Sequence, residues 1–450
     1  MGQEATKQTT MIGREPYSRA VSNATREKVT SLLTSAISQG VIGSSCDLIG
    51  FLDIDGVKAT VNSLKSAFPG HFTHLFAAKS NTMLSTLKLV RECGMGCEVA
   101  SASELEQAIR AGFTAGEISF DEPAKTKSTL QRIIDLGVGL HIDNFDEYEI
   151  VADIASKTAP TGPAGFRLNP QRGGGAIAST STATPTSKFG VGMRDAGNRE
   201  RLIELYRTVP WLNRLHVHVG AQGCSFELMA ASIRDVIDLA DEINDGLPEQ
   251  KVTAIDIGGG LPVNFMSDEI SPTFKEYADF LRPHLPELFS GKYKIFTEFG
   301  RSILAKNGLL ASKTEYVKQM GGKNIAIGHA GAQIAARTVF GPVDWALRFS
   351  VYDQNGKAKA GSMKEYDLAG PCCFSGDLIA RDIELPEIEA HDWLVAHDTG
   401  AYYFAIPYFF NALPVPAIYG YSFDGGENGT PVFEEYRKEQ SIDQVLALIG

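Results

Sequence analysis

Between residues 48 and 300 the chain alternates short apolar runs with amphipathic stretches about eight times over. Runs at 48–52, 75–78, 97–100, 118–120, 140–142, 165–168, 215–219, 254–257 and 294–297 read as strands. Amphipathic stretches such as 57–68, 83–93, 102–111, 127–136, 145–155 and 226–243 read as helices. Strict alternation implies parallel strands, each returned by a helix. About eight such units predict an α/β fold closed as a (β/α)8 barrel, with an open doubly wound sheet as the rival. From residue 312 the rhythm changes to short strand-like runs between turn residues (315–317, 346–352, 393–396, 417–421), which predict a mostly antiparallel β domain. The expected organisation is a polar segment over 1–47 ending in an amphipathic stretch at 29–42, a barrel over 48–310 and a β domain over 311–450. The Gly/Ser/Thr-rich segment 173–187 reads as a mobile loop beside the barrel mouth.

Composition narrows the function. A net charge of −12 argues against a nucleic-acid partner, which needs a basic face, and disfavours anionic lipid. No apolar run approaches 18 residues and the N-terminus carries no apolar core of a signal peptide, so no membrane association is expected. Six cysteines in a chain this long do not form a disulfide framework. The pairs Cys93/Cys97 and Cys372/Cys373 lack companions for zinc, so no metal is expected, and the cysteines suit the reducing cytoplasm. Gly2 with Thr6 fits a myristoylation pattern loosely, and Asn428-Gly429-Thr430 a glycosylation pattern; nothing else in the sequence supports either.

Barrel active sites are built at the C-terminal ends of the strands. Lys79 follows three apolar residues there, and enclosure makes such an amine a nucleophile toward carbonyls. Gly258-Gly259-Gly260 follows another strand, where glycine lets backbone N–H groups approach a phosphate. Glu298, in Thr297-Glu298-Phe299-Gly300-Arg301, could pair with a protonated ring nitrogen and keep the ring an electron sink. His218, in His216-Val217-His218-Val219-Gly220, offers a flat imidazole for stacking. Singly, each has a plainer reading: a solvated lysine, a flexible loop, a structural Glu–Arg pair. Together they are the parts of a pyridoxal-5'-phosphate (PLP) site.

With those residues in place, the chain resembles the diaminopimelate/ornithine decarboxylase family from about residue 48 to about 420. Phe76-Ala77-Ala78-Lys79-Ser80-Asn81 is similar to the family's cofactor-lysine segment. Gly96-Cys97-Glu98-Val99-Ala100-Ser101, Ser187-Lys188-Phe189-Gly190, the His218 motif and Gly258–Gly260 also match. Glu298-Phe299-Gly300-Arg301 matches a Glu-Pro-Gly-Arg motif with Phe299 in place of proline. Gly370-Pro371-Cys372-Cys373 leads to Ser375-Gly376-Asp377, similar to the family's cysteine motif, and Asp398-Thr399-Gly400-Ala401-Tyr402 to the motif whose tyrosine reaches the cofactor phosphate. The resemblance implies PLP held by Lys79, His218, Gly258, Gly259, Gly260, Glu298, Gly300, Arg301 and Tyr402. It also implies a small amino-acid substrate and a head-to-tail homodimer in which Cys373 enters the partner's active site as proton donor. By the same resemblance, the N-terminal segment packs with the β domain. The implied reaction is loss of CO2 from an α-amino acid to give an amine. A glutamate under the ring, rather than an arginine, selects decarboxylation over racemisation.

Several positions depart from the family. Phe374 stands where an acid contacts the distal amine, Ala221 stands for a phosphate-contacting serine, and 325–340 contains no Asp or Glu. One alignment of the family's Arg-Pro-x-Leu-Tyr segment places Ala336 for the arginine and Phe340 for the tyrosine; a one-residue slip would give Arg337 to a distal carboxylate. With Phe340, Phe374, Arg337 and Asp377 as the expected substrate pocket, the sequence favours a substrate with an apolar or weakly polar distal end, because an unpaired ammonium facing phenyl rings loses its solvation. The alternatives are a lysine-forming diaminopimelate decarboxylase and, in another class, a catalytically silent regulatory binding protein.

Overall fold

In the computed structural model, residues 21–426 and 429–450 are described; the Gly2 pattern and Asn428 lie outside them. Eight parallel strands close into a barrel: Phe72–Ala77, Gly96–Val99, Ile118–Phe120, Gly139–Ile142, Ala164–Asn169, Leu212–Val217, Ala254–Asp256 and Lys294–Phe299. Closure comes from pairing of Gly139–Ile142 with Ala164–Asn169, Leu140 lying opposite Ala164. The helices between them bury one face each: Phe226–Asn244, for example, buries Met229, Ile233, Val236, Ile237, Ala240 and Ile243, at helical spacing.

The barrel has eight strands, as expected, but with a different membership. Leu48–Asp53 is a strand, yet it belongs to the second sheet, antiparallel to Gly308–Met320 and parallel to Ala417–Asp424. That sheet has nine strands. It is antiparallel except where Leu48–Asp53 meets Ala417–Asp424 and where Lys323–Gly328 meets Met363–Ala369.

The helix Asn23–Ser38 buries Val29, Leu32, Leu33 and Ala36 against Ile49, Phe51, Ala311, Tyr352, Trp393 and Tyr421 of this second sheet. Packing six or more apolar side chains there removes enough surface from water to hold the segment in place. The segment 173–187, read from sequence as a mobile loop, is pinned to the strand end that carries His218. Thr182 N and Ala183 N both donate to Val219 O, at 3.0 and 3.2 Å, and Ala183 is fully buried. Glycine-rich composition signalled the absence of regular structure; it did not reveal these bonds. Among the described residues, no helix is long and apolar enough to cross a membrane.

Candidate active site

Lys79 leaves the first barrel strand in a three-residue turn, Ala78–Ser80. Two bonds from the β domain's motif clamp that turn: Tyr402 N donates to Ser80 O at 2.7 Å, and Asn81 Nδ2 donates to Gly400 O at 3.2 Å. They bring Tyr402, itself at φ +68°, to the barrel mouth beside Lys79. One cavity is lined by Lys79, His218, Gly260, Glu298, Arg301 and Tyr402, with Ala77, Ala221, Leu261, Gly300 and Ser302 completing its wall. The strand-end residues singled out in the sequence therefore converge. A larger cavity of about 230 Å³ lies between the helices Ile54–Ala67 and Phe274–His284 and shares only Leu261 and Ser302 with this one. Its one charged side chain, Lys306, is already engaged by Ser267 O and Asp398.

The Lys79 side chain faces the cavity, 43% accessible, with its amine 2.9 Å from Glu98. The surrounding barrel wall lowers its pKa, but Glu98, Tyr402 and Glu298 together outweigh that and raise it. His218 turns Nδ1 toward the glycine loop and accepts from Gly259 N at 3.2 Å. Burial, with Arg167 and Lys79 nearby, keeps this imidazole neutral.

The glycine loop leaves no room for side chains. A Cβ on Gly259 would sit 2.1 Å from Glu298 O, and one on Gly260, at φ +100°, 2.1 Å from Gly220 O. Its backbone therefore forms a bare cradle. Glu298 is buried, with Oε1 free of any hydrogen-bond partner. Burial first, then the charges of Glu98 and Asp121, push its carboxyl up to about 8. An amine for the aldehyde, a bare backbone cradle for the phosphate and an unpartnered carboxyl for the ring nitrogen fit PLP.

Sequence reasoning missed the residues beneath. Glu98, Asp121, Arg167, Arg214 and Asp256 fill the barrel interior, with Asp121 paired to Arg167 and Asp256 to Arg214. Asp121 stands directly after Ile118–Phe120 and Glu98 inside Gly96–Val99, so the strand-end rule applied to every strand would have found both. Two acid–histidine clusters have metal-like closeness, Asp121/His141/His216 and His141/Asp256/Glu298; in each, an arginine already holds an aspartate.

The expected substrate pocket divides. Arg337 does not line the Lys79 cavity but packs on Tyr402, which does: Arg301 and Arg337 lie 4.6 and 4.2 Å from the Tyr402 ring and 4.5 and 4.3 Å from the Trp345 ring. Trp345, read from sequence as packing, thus sandwiches both cations with Tyr402. Burial, opposed by Tyr402 and reinforced by Arg337, brings Arg301 down to about 10. Phe340 and Phe374 do not line the Lys79 cavity of their own chain. They stack at 5.8 Å in a cluster with Tyr408 and Phe410, next to the exposed Cys373, and Phe340 is itself exposed. Asp377 is not free for substrate: it is buried and accepts from Ala332 N at 2.6 Å and Cys372 N at 2.7 Å. Its role is to tie the cysteine loop to the helix Ala332–Phe340.

Comparison with known proteins points to the same cofactor. The family described as "Pyridoxal-dependent decarboxylase, pyridoxal binding domain" matches residues 54–305. Curated relatives include diaminopimelate decarboxylases of Bacteroides thetaiotaomicron, 27% identical over 76% of this chain and 86% of that one, and of Archaeoglobus fulgidus, 28% identical over 81% and 90%. Diaminopimelate decarboxylase from Helicobacter pylori, solved with L-lysine, shares the fold with a TM-score of 0.79 at 23% identity, over 92% of this chain and 99% of that one. A lysine/ornithine decarboxylase from Vibrio vulnificus, solved with cadaverine, aligns with a TM-score of 0.70 at 20% identity, over 87% and 97%. Since the family match spans more than half of the chain and falls on the barrel that gathers these groups, the chain belongs to the pyridoxal-dependent decarboxylases, carboxy-lyases with PLP as cofactor.

Proposed function

We propose that the chain decarboxylates an α-amino acid whose far end carries a second carboxylate, with diaminopimelate as the first candidate. The Arg301–Arg337 pair carries this reading. Among the described residues neither guanidinium has an ion-pair partner, and Arg337 Nη1 is buried without a hydrogen bond. Two adjacent cations that repel each other are balanced by a carboxylate held between them, which each can grip through paired N–H donors. The curated relatives named diaminopimelate decarboxylase support the same choice. Bound PLP supplies the electron sink for the bond to the departing carboxylate.

The residues of the chain do the rest. Lys79 anchors, Gly258–Gly260 and Tyr402 hold the phosphate end, and Glu298 keeps a proton beneath the ring nitrogen. His218, fixed by Gly259, closes one face. Cys373 is exposed and absent from the Lys79 cavity of its own chain, which fits a head-to-tail dimer in which it reaches the partner's cavity and protonates the α-carbon. Mixing Lys79→Ala with Cys373→Ala protein should then restore activity that neither has alone.

A second reading keeps the apolar distal end, carried by Phe374 and its ring cluster beside Cys373. CO2 release from diaminopimelate, 2-aminopimelate, lysine, methionine and phenylalanine separates the two. Turnover of the first two supports the arginine reading. Preference for methionine or phenylalanine replaces it with the apolar one, and preference for lysine overturns both.

A further inference from the structure

Beneath Glu298 lie two histidines with no part in the roles assigned above. The rings of His141 and His216 stack at 4.0 Å and 15°, both fully buried, and among the described residues none of their four nitrogens has a hydrogen-bond partner. His216 Nε2 is 3.4 Å from one oxygen of Glu298, and His141 Nδ1 is 3.9 Å from the other. His141 Nε2 is 3.7 Å from Asp256.

The surrounding charges explain why this matters. Of the four interior carboxylates, three have a cation: Glu98 has Lys79, Asp121 has Arg167 and Asp256 has Arg214. Glu298 has none. A buried carboxylate without a cation keeps its proton or loses several kcal/mol to desolvation. A neutral imidazole offers one donor and one acceptor: His216 Nε2, 3.4 Å from one oxygen, is placed to donate to it and leave the carboxyl's proton on the other, while His141 Nδ1, at 3.9 Å beyond hydrogen-bond reach, steadies the His216 ring by stacking.

We propose that His216 and His141 are positioning residues that orient the Glu298 carboxyl and fix its proton for the ring nitrogen of PLP. The proton count balances without solvent: the proton Glu298 carries in the chain alone is the one it shares with the ring nitrogen. The inference rests on PLP as cofactor and not on the substrate reading.

The charged groups acting on the pair are Asp121 with its partner Arg167, Asp256 with its partner Arg214, and Lys125. Burial, reinforced by His216 and these cations, puts His141 well below the ordinary histidine range. Burial, opposed by Asp121 and Asp256, brings His216 down to about 4. Both rings stay neutral where the enzyme works, as the arrangement requires.

The test needs no substrate. The visible absorbance of PLP on Lys79 is titrated with pH in the wild type, His216→Phe, His141→Ala and His216→Gln. Phenylalanine keeps a flat ring in the stack and removes both nitrogens; alanine removes the stacking ring. His216→Phe is expected to retain PLP and shift the titration midpoint by about one pH unit or more, a tenfold change in the proton equilibrium. His141→Ala should shift it in the same direction. His216→Gln, which still donates and accepts, should restore most of the wild-type midpoint. Unchanged midpoints in both His216→Phe and His141→Ala would reduce the histidines to packing and overturn the proposal. Should His216→Phe not fold, the same titration on His141→Ala decides it.

Discussion

Arg337 shows how far a single register step carries a substrate reading. Aligned one residue away, the segment puts Ala336 where a cation belongs and the pocket turns apolar; in the structure Arg337 itself stands over Tyr402 beside Arg301. Arg337→Met keeps much of the length and removes the charge. For a substrate with a distal carboxylate, KM should rise roughly 30-fold or more, since breaking a desolvated charge pair costs about 2–5 kcal/mol. Substrates without that carboxylate should be unaffected, and equal losses on both kinds would sink the assignment. Glu298 makes a second prediction at this scale. Its carboxyl is raised from 4.5 in the ordinary case to about 8 in the fold, by burial before all else. Between those values the folded, cofactor-free chain holds a proton that the unfolded chain has released, so stability falls as pH rises through that window. Urea midpoints of the cofactor-free wild type should drop across it, and those of Glu298→Gln should drop less. The convergence of Lys79, Gly260 and Glu298 on one cavity was legible because strand ends in a barrel are where chemistry collects. Trp345 was not, because its contact with two arginines and a tyrosine joins residues distant in sequence.

At the scale of elements, alternation announced the barrel but could not say which strand enters it. Leu48–Asp53 followed by the helix Ile54–Ala67 has the pattern of a first barrel unit, yet its partners are residues 308–312 and 417–421. Periodicity reports that a segment is extended and buried, not whom it pairs with. The cysteine loop had the converse fate: its motif was legible and one residue's role was not. Asp377 accepts two buried backbone N–H groups, one from the helix Ala332–Phe340 and one from Cys372, and a Cβ on Gly331 or Gly370 would meet its carboxylate at 2.4 Å. Asp377→Ala leaves both donors unsatisfied at roughly 1–3 kcal/mol each. The thermal midpoint should fall and the Cys373 loop should loosen, read as faster alkylation of Cys373 in the native protein. An unchanged alkylation rate would mean that Asp377 does not hold the cysteine loop in place.

At the scale of the whole molecule, one guanidinium joins parts that the sequence keeps far apart. Arg348, almost wholly buried, donates to both oxygens of Asp398 at 3.0 Å and to Asp268. Asp268 lies beyond the glycine loop and accepts from Ser22 N and Thr25 Oγ1, each at 2.9 Å, at the start of the helix Asn23–Ser38. Asp398 opens the motif that carries Tyr402 to Lys79. The N-terminal helix, the barrel and the β domain thus meet on one side chain, and the placement of Tyr402 depends on it. Arg348→Met strands Asp398 with only Lys306, and breaking a buried pair of this kind costs about 3–5 kcal/mol. The loss should appear both in the unfolding midpoint and in weaker retention of PLP. Asp268 gives the network its pH dependence. Burial raises its pKa, but the hydrogen bonds from Ser22, Arg348 and Thr25 outweigh that and hold it below the ordinary carboxylate range. Its contribution is therefore complete at neutral pH and fades as pH falls through the folded-state value. Asp268→Asn should cost roughly 1–2 kcal/mol at neutral pH, allowing for partial exposure. Unfolding midpoints of variant and wild type should converge in acid; a gap that stays constant with pH would mean that Asp268 holds the three parts together by shape rather than by charge.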